Sequence, residues 1–290
     1  MKLYVTLLIL STLLVSAQVF ATEKGVDVIY GEDNRLDVFE SRNSAFVELS
    51  KSTAAMIAKE NLKPSGSEIE ITAKTLVDRG VCEKERFSKQ IFAANCSGFL
   101  IAEDILVTAG HCIKTEADCK AGSKWVFDYK VDSSDQRNVT IPASSVYSCS
   151  KILSRSLDMS TKDDYAVIRL DRKTDRRPLS FRRSGKVSPG TNLVIIGHPT
   201  GLPTKIADGA KVRSLAPKFF VANLDSYGGN SGSAVFNVNT SEVEGILVRG
   251  EADYVPDAAL GCKVSKKCAN DSCRGEDVTF ITNIPGINTL

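Results

Sequence analysis

Three short stretches of this chain carry side chains that could do chemistry together. The first is Thr108-Ala109-Gly110-His111-Cys112, which follows the apolar run Ile105 to Val107. The second, Asp164-Tyr165-Ala166-Val167-Ile168-Arg169-Leu170, puts an acid at the head of a strand-like segment. The third, Gly228-Gly229-Asn230-Ser231-Gly232-Ser233-Ala234, sets a serine in a glycine-rich turn. In this order they supply a base, a carboxylate to orient it and a nucleophile, the set that acyl transfer requires. A serine hydroxyl is a poor nucleophile at neutral pH, so a neutral imidazole must take its proton while a carboxylate fixes the tautomer. Glycines around Ser231 let backbone N–H groups approach a substrate carbonyl, and the amides of Gly229 and Ser231 would form the oxyanion hole. His198 is the only other histidine and lies in the turn Gly197-His198-Pro199-Thr200-Gly201, where a structural role is expected.

The elements that must hold these residues read as β-rich from about Phe92 onward. Short apolar runs recur between turn residues, among them 98–102, 105–108, 125–127, 165–170, 193–196, 234–236, 245–248 and 278–282. Many short strands at such spacing imply an all-β barrel or sandwich. Upstream, Phe46, Leu49, Ala54, Met56 and Ile57 predict one amphipathic helix over 44–61. The organisation expected is therefore a signal peptide at 1–21, an N-terminal extension or partial pro-segment at 22–88, and a catalytic domain at 89–290.

The segment Cys96-Ser97-Gly98-Phe99-Leu100-Ile101, with Thr108 to Cys112 downstream, resembles the first-barrel signature of trypsin-like serine proteases. The chain order His, Asp, Ser matches the chymotrypsin order. The Gly-Asn-Ser-Gly-Ser form, with residues 28–35, resembles the bacterial glutamyl-endopeptidase-like branch. The resemblance covers roughly 90–285 and implies two six-stranded antiparallel β-barrels with the site in the cleft between them. It also implies a disulfide between Cys96 and Cys112, which are 16 residues apart. The family pattern selects Asp164 over Asp163 as the orienting acid, giving a triad of His111, Asp164 and Ser231 in a serine endopeptidase.

The resemblance also points to the substrate pocket. The residue six before the nucleophile is Asp225, followed by Ser226, which favours Arg or Lys before the scissile bond. Arg249 and Gly250 align with the strand that borders the substrate, and Arg249 could set a cation beside Asp225. Leu247 and Val248 stand where the glutamyl-specific branch uses a histidine, so glutamyl specificity by that route is not expected. Two departures stand out. Asn230 replaces the acid that pairs with a freed N-terminal amine in trypsin-like zymogens, and Val248 replaces a serine that supports the catalytic carboxylate. Two other readings compete with this one. A non-catalytic homologue would have lost a triad member, and none is lost. A serine hydrolase of the Gly-x-Ser-x-Gly type would carry Gly where Ser233 stands.

Composition sets wider limits. In 290 residues, 42% are apolar and 25% charged, ordinary for a globular chain with room for a sizeable core. A net charge of +2 gives no reason to expect nucleic acid or an anionic membrane as partner. Lys2, the apolar run from Leu3 to Val15 and small residues up to Ala17 or Ala21 form a secretory signal pattern. Eight cysteines in an exported chain imply disulfides rather than zinc, because the spacing of Cys262, Cys268 and Cys273 lacks a paired Cys-x2-Cys rhythm. The expectation is a secreted or periplasmic monomer that acts on protein or peptide substrates, with no cofactor, no metal and no stable membrane association.

Overall fold

The computed structural model describes residues 28–289, so the expected signal peptide at 1–21 lies outside the described residues. The chain opens with β1 (Ile29–Tyr30), β2 (Arg35–Asp37) and helix α1 (Ser44–Ser50), whose Asn43 cap accepts the amides of Ala45 and Phe46. There follow β3 (Thr53–Ala58), β4 (Leu62–Ser65), β5 (Glu68–Ile71), β6 (Ala94–Ala102) and β7 (Ile105–Thr108). A short helix α2 (Glu116–Ala121) leads to β8 (Ser123–Val126), β9 (Val139–Pro142), β10 (Val146–Tyr147), β11 (Cys149–Leu157) and β12 (Asp164–Leu170). The second half holds β13 (Asn192–Gly197), β14 (Lys205–Leu215), β15 (Phe219–Ala222), β16 (Ala234–Asn237) and β17 (Val243–Arg249). It ends with β18 (Tyr254–Asp257), β19 (Cys262–Ser265), β20 (Lys267–Cys268) and β21 (Glu276–Phe280).

Two antiparallel sheets dominate. The first runs β10-β8-β3-β6-β7-β12-β11, and its outer strands β10 and β11 are separated only by Ser148, so it curls into a barrel. The second runs β13-β16-β17-β21-β15-β14, and pairing of β13 with β14 closes it as a six-stranded barrel; β2 adds to the outer side of β14. The two barrels expected from the resemblance are thus present.

Alternation along the central strands explains why they read as unbroken apolar runs. On β6 and β7, Leu100 and Leu106 point into the first barrel with Trp125 and Phe127, while Phe99, Ile105 and Val107 point the other way. On β13 and β16, Leu193, Ile195 and Val235 fill the second barrel, while Val194, Ile196 and Phe236 face outward. The two outward sets meet in one shared core, so both faces of these strands are buried along their apolar runs.

Two expectations about the N-terminal part need correction. The predicted helix over 44–61 ends at Ser50, and Thr53–Ala58 forms the interior strand β3, paired with β6 on one side and β8 on the other. Ala54 and Met56 enter the first barrel while Ala55 and Ile57 pack on the opposite face, a period of two that overrides the helix preference of the alanines. The boundary at 88/89 also disappears. Residues 28–88 supply β1 to β5, β2 pairs with β14, and the Cys82–Cys262 disulfide ties this part to the C-terminal region. All eight cysteines are paired, through Cys82–Cys262, Cys96–Cys112, Cys119–Cys149 and Cys268–Cys273. Among the described residues no helix is long and apolar enough to cross a membrane.

Candidate active site

His111 lies in the turn that leaves β7, and Asp164 is the first residue of β12, the strand paired with β7. The turn is tight against the sheet. A Cβ on Gly110 would stand 1.9 Å from the carbonyl oxygen of Ser156, so only glycine lets the backbone pass there. Arg155 Nε clamps the same turn by donating to the carbonyls of Gly110, at 2.9 Å, and Ile113, at 2.7 Å. The result is a two-point contact between base and acid. His111 N–H donates to Asp164 Oδ1 at 3.1 Å, and Nδ1 lies 2.8 Å from Oδ2. A carboxylate acceptor requires the proton on Nδ1, which leaves the Nε2 lone pair free to accept a proton. The Asp164 side chain is only 3% exposed, whereas His111 is 33% exposed and open to a substrate.

Ser231 sits in the turn between β15 and β16 and is half-buried. Its backbone is fastened to the first sheet. Ser97 N–H donates to Ser231 O at 2.8 Å, Ser97 Oγ donates to Gly229 O at 2.9 Å, and Thr108 Oγ1 donates to Ser97 O at 2.7 Å. Cys112 Sγ, bonded to Cys96 and next in sequence to His111, lies 3.7 Å from Ser231 O. The nucleophile turn and the histidine turn therefore meet at the Cys96–Cys112 disulfide and at Ser97. Sequence reasoning missed Ser97, whose only signal was its place directly after Cys96.

The amides of the nucleophile turn divide into two groups. Gly228 N–H donates to Asp253, Asn230 N–H to Tyr227 O, Gly232 N–H to Leu247 O and Ser233 N–H to Asn230 O. The amides of Gly229 and Ser231 donate to no acceptor among the described residues. Gly229 holds φ at +101°, and a Cβ there would lie 2.6 Å from Gly201 N and His198 O, which makes glycine a requirement of the turn.

The expected substrate-binding set is arranged differently. Asp225 does not stand as a bare anion at the base of a pocket. It is buried, and its two oxygens accept the backbone N–H groups of Tyr30, at 2.7 Å, and Asn34, at 2.8 Å. Burial pushes its carboxyl up to about 6. Ser226 is buried beside it; its N–H reaches Val28 O and its hydroxyl accepts from Asn230 Nδ2. Both residues therefore anchor the N-terminal strands. Arg249 is not beside Asp225 either: Nε lies 3.0 Å from Asp277 Oδ2, and Nη1 lies 3.8 Å from Asp164 Oδ2. Gly250 follows it, buried, at the end of β17. Asn230 is buried in a neutral network in which its Oδ1 accepts from Ser233 Oγ.

His198 is buried, with Nδ1 3.0 Å from Leu202 O and its ring stacked on Tyr129. Desolvation holds it down at about 3, so it stays neutral. The cluster with metal-ligand atoms close together, Cys96, His111 and Cys112, has its two sulfurs joined as a disulfide and offers no thiolate.

The chain is similar to known proteins in sequence and in fold. A family model described as a trypsin-like peptidase domain matches residues 96–246, more than half of the chain. No curated protein matches the chain. Among solved structures, the inactive form of the Rv3671c protease is similar at 14% identity, covering 85% of this chain and 92% of that one, with a TM-score of 0.45. A Glu endopeptidase in complex with MPD is similar at 17% identity, covering 83% and 94%, with a TM-score of 0.47. The matched span begins at Cys96 and takes in the His111, Asp164 and Ser231 stretches, and by that match the chain belongs to the trypsin-like peptidase family and is a serine-type protease.

Proposed function

We propose that this chain is an exported serine endopeptidase in which Ser231 is the nucleophile, His111 the general base and acid, and Asp164 the orienting carboxylate. The observation that carries the reading is the two-point contact of His111 with Asp164, set beside the Ser231 turn through Ser97 and the Cys96–Cys112 disulfide. Ser231 Oγ adds to the scissile carbonyl as His111 Nε2 takes its proton. Negative charge collects on the carbonyl oxygen, where the amides of Gly229 and Ser231 are free to donate. His111 then passes the proton to the leaving amine and the C–N bond breaks, leaving an acyl-enzyme. Water attacks that ester by the same route in reverse and frees Ser231.

Pairing of all eight cysteines supports export to an oxidising compartment, in keeping with the signal pattern at 1–21. Because Asp225 already holds two backbone amides, a charge-based preference for Arg or Lys is not assigned to it. A fluorophosphonate probe tests the proposal. It should label the folded protein once, on the peptide containing Ser231, and prior His111→Ala substitution should abolish the labelling. Labelling elsewhere, or none, would contradict it.

A further inference from the structure

Arg249 ends β17 in the second sheet, and its guanidinium reaches the first. Nε lies 3.0 Å from Asp277 Oδ2 on the neighbouring strand β21, Nη2 donates to Lys162 O at 2.9 Å, and Nη1 comes to 3.8 Å from Asp164 Oδ2. The group also lies 5.5 Å from the centre of the Phe219 ring. Asp277 is itself buried and takes a second cation, Arg274, at 2.5 Å. Arg249 is thus anchored within its own sheet and touches both Asp164 and the backbone two residues ahead of it. That backbone needs holding, since Lys162 adopts a left-handed φ of +64° just before β12 begins.

Other charges around Asp164 are engaged elsewhere. Asp163 pairs with Lys218 at 3.5 Å and accepts from Asn283. Arg155, on the adjoining strand β11, is held by the carbonyls of Gly110 and Ile113. Arg249 is therefore the cation that faces the buried carboxylate, and such a carboxylate is costly to hold without one. The same strand also holds the nucleophile turn, because Leu247 O accepts Gly232 N–H at 2.7 Å. β17 thus spans from the Ser231 turn, through its backbone, to Asp164, through its last side chain.

The geometry points to Arg249 as a positioning residue that fixes Asp164 Oδ2 against His111 Nδ1 across the join between the two sheets. This inference rests on the triad proposed above. The substrate does not meet the guanidinium; Arg249 acts through Asp164.

Arg249→Met, Arg249→Lys and Asp277→Asn, assayed on a small p-nitrophenyl ester with active sites counted by fluorophosphonate titration, test it. Arg249→Met should lower kcat per titrated site about tenfold with KM unchanged, equivalent to about 1.4 kcal/mol of transition-state stabilisation. Arg249→Lys should recover part of the loss, because an ammonium can meet one carboxylate but cannot bridge two and a carbonyl. Asp277→Asn should fall between wild type and Arg249→Met, and the double variant should be no slower than Arg249→Met. An unchanged kcat per site in Arg249→Met would overturn the inference. A raised KM at constant kcat would also overturn it and make Arg249 a substrate-binding residue. Should Arg249→Met fail to fold, the same kcat-against-KM split read on Arg249→Lys decides. A wild type without a titratable serine would instead refute the proposed triad.

Discussion

Replacing Asp225 by Asn removes a buried carboxylate while keeping its shape, and the structure sets two opposing effects. Each carboxylate oxygen accepts one backbone amide, from Tyr30 and from Asn34. An Asn side chain can accept only one of them and turns an NH2 toward the other. A buried donor left unsatisfied costs about 1–3 kcal/mol. Against this, burial raises the carboxyl from 3.8 to about 6. A shift of about two units at about 1.4 kcal/mol each makes the buried charge cost about 3 kcal/mol at neutral pH. The sign follows from linkage. A raised folded-state value means that the folded protein binds this proton more tightly than the unfolded chain. Its stabilising contribution is complete below pH 3.8 and is lost as pH rises through about 6. The stability of wild type minus that of Asp225→Asn should therefore fall by about 3 kcal/mol between about pH 3.5 and pH 7. Urea unfolding followed through Trp125, the only tryptophan and fully buried in the first barrel, measures both proteins at each pH. A difference that stays flat with pH, or that grows as pH rises, would refute the reasoning. A rising difference would mean that the two amide bonds outweigh desolvation.

Other outcomes follow from the same contacts. Asp225→Asn should leave the ratio of kcat/KM for Arg and apolar residues before the scissile bond unchanged, as a peptide series varied at that position would report; a selective loss on Arg peptides would return Asp225 to the pocket. Replacing Cys96 and Cys112 together by Ala opens a 16-residue span, and urea unfolding should show a loss of about 3 kcal/mol in the loop-entropy account. Ser97→Ala removes the hydroxyl that donates to Gly229 O and accepts from His198 N–H, and calorimetry should show about 1–3 kcal/mol of destabilisation. Deleting residues up to 58 removes the interior strand β3, so the product should fail to fold, as far-UV circular dichroism would show, rather than yield an active core.

What the sequence made legible was what lies close together along the chain. The His111, Asp164 and Ser231 stretches each pack their chemistry into five to seven residues, and the apolar runs flanking them announce strands without any knowledge of pairing. β3 was not legible, because Thr53-Ala-Ala-Met-Ile-Ala58 suits a helix by propensity and becomes a strand only when β6 and β8 flank it. What holds Asp225 was not legible for a related reason. Its partners Tyr30 and Asn34 lie 195 and 191 residues away, and only the closed fold brings their amides to its oxygens. Arg249 likewise meets Asp164 across two sheets, a contact that neither local pattern contains.

Peptide hydrolysis by active-site variants tests the central claim most directly. On one peptide substrate, kcat/KM would be measured for the wild type, Ser231→Ala, His111→Ala and Asp164→Asn, each checked for folding by circular dichroism. Members of such a triad act as a unit, so Ser231→Ala and His111→Ala should each lower turnover by about 10⁴-fold or more. Asp164→Asn, which keeps the shape but disturbs the tautomer of His111, should also lose about 10⁴-fold. Folded Ser231→Ala protein that hydrolyses the peptide at the wild-type rate would contradict the account.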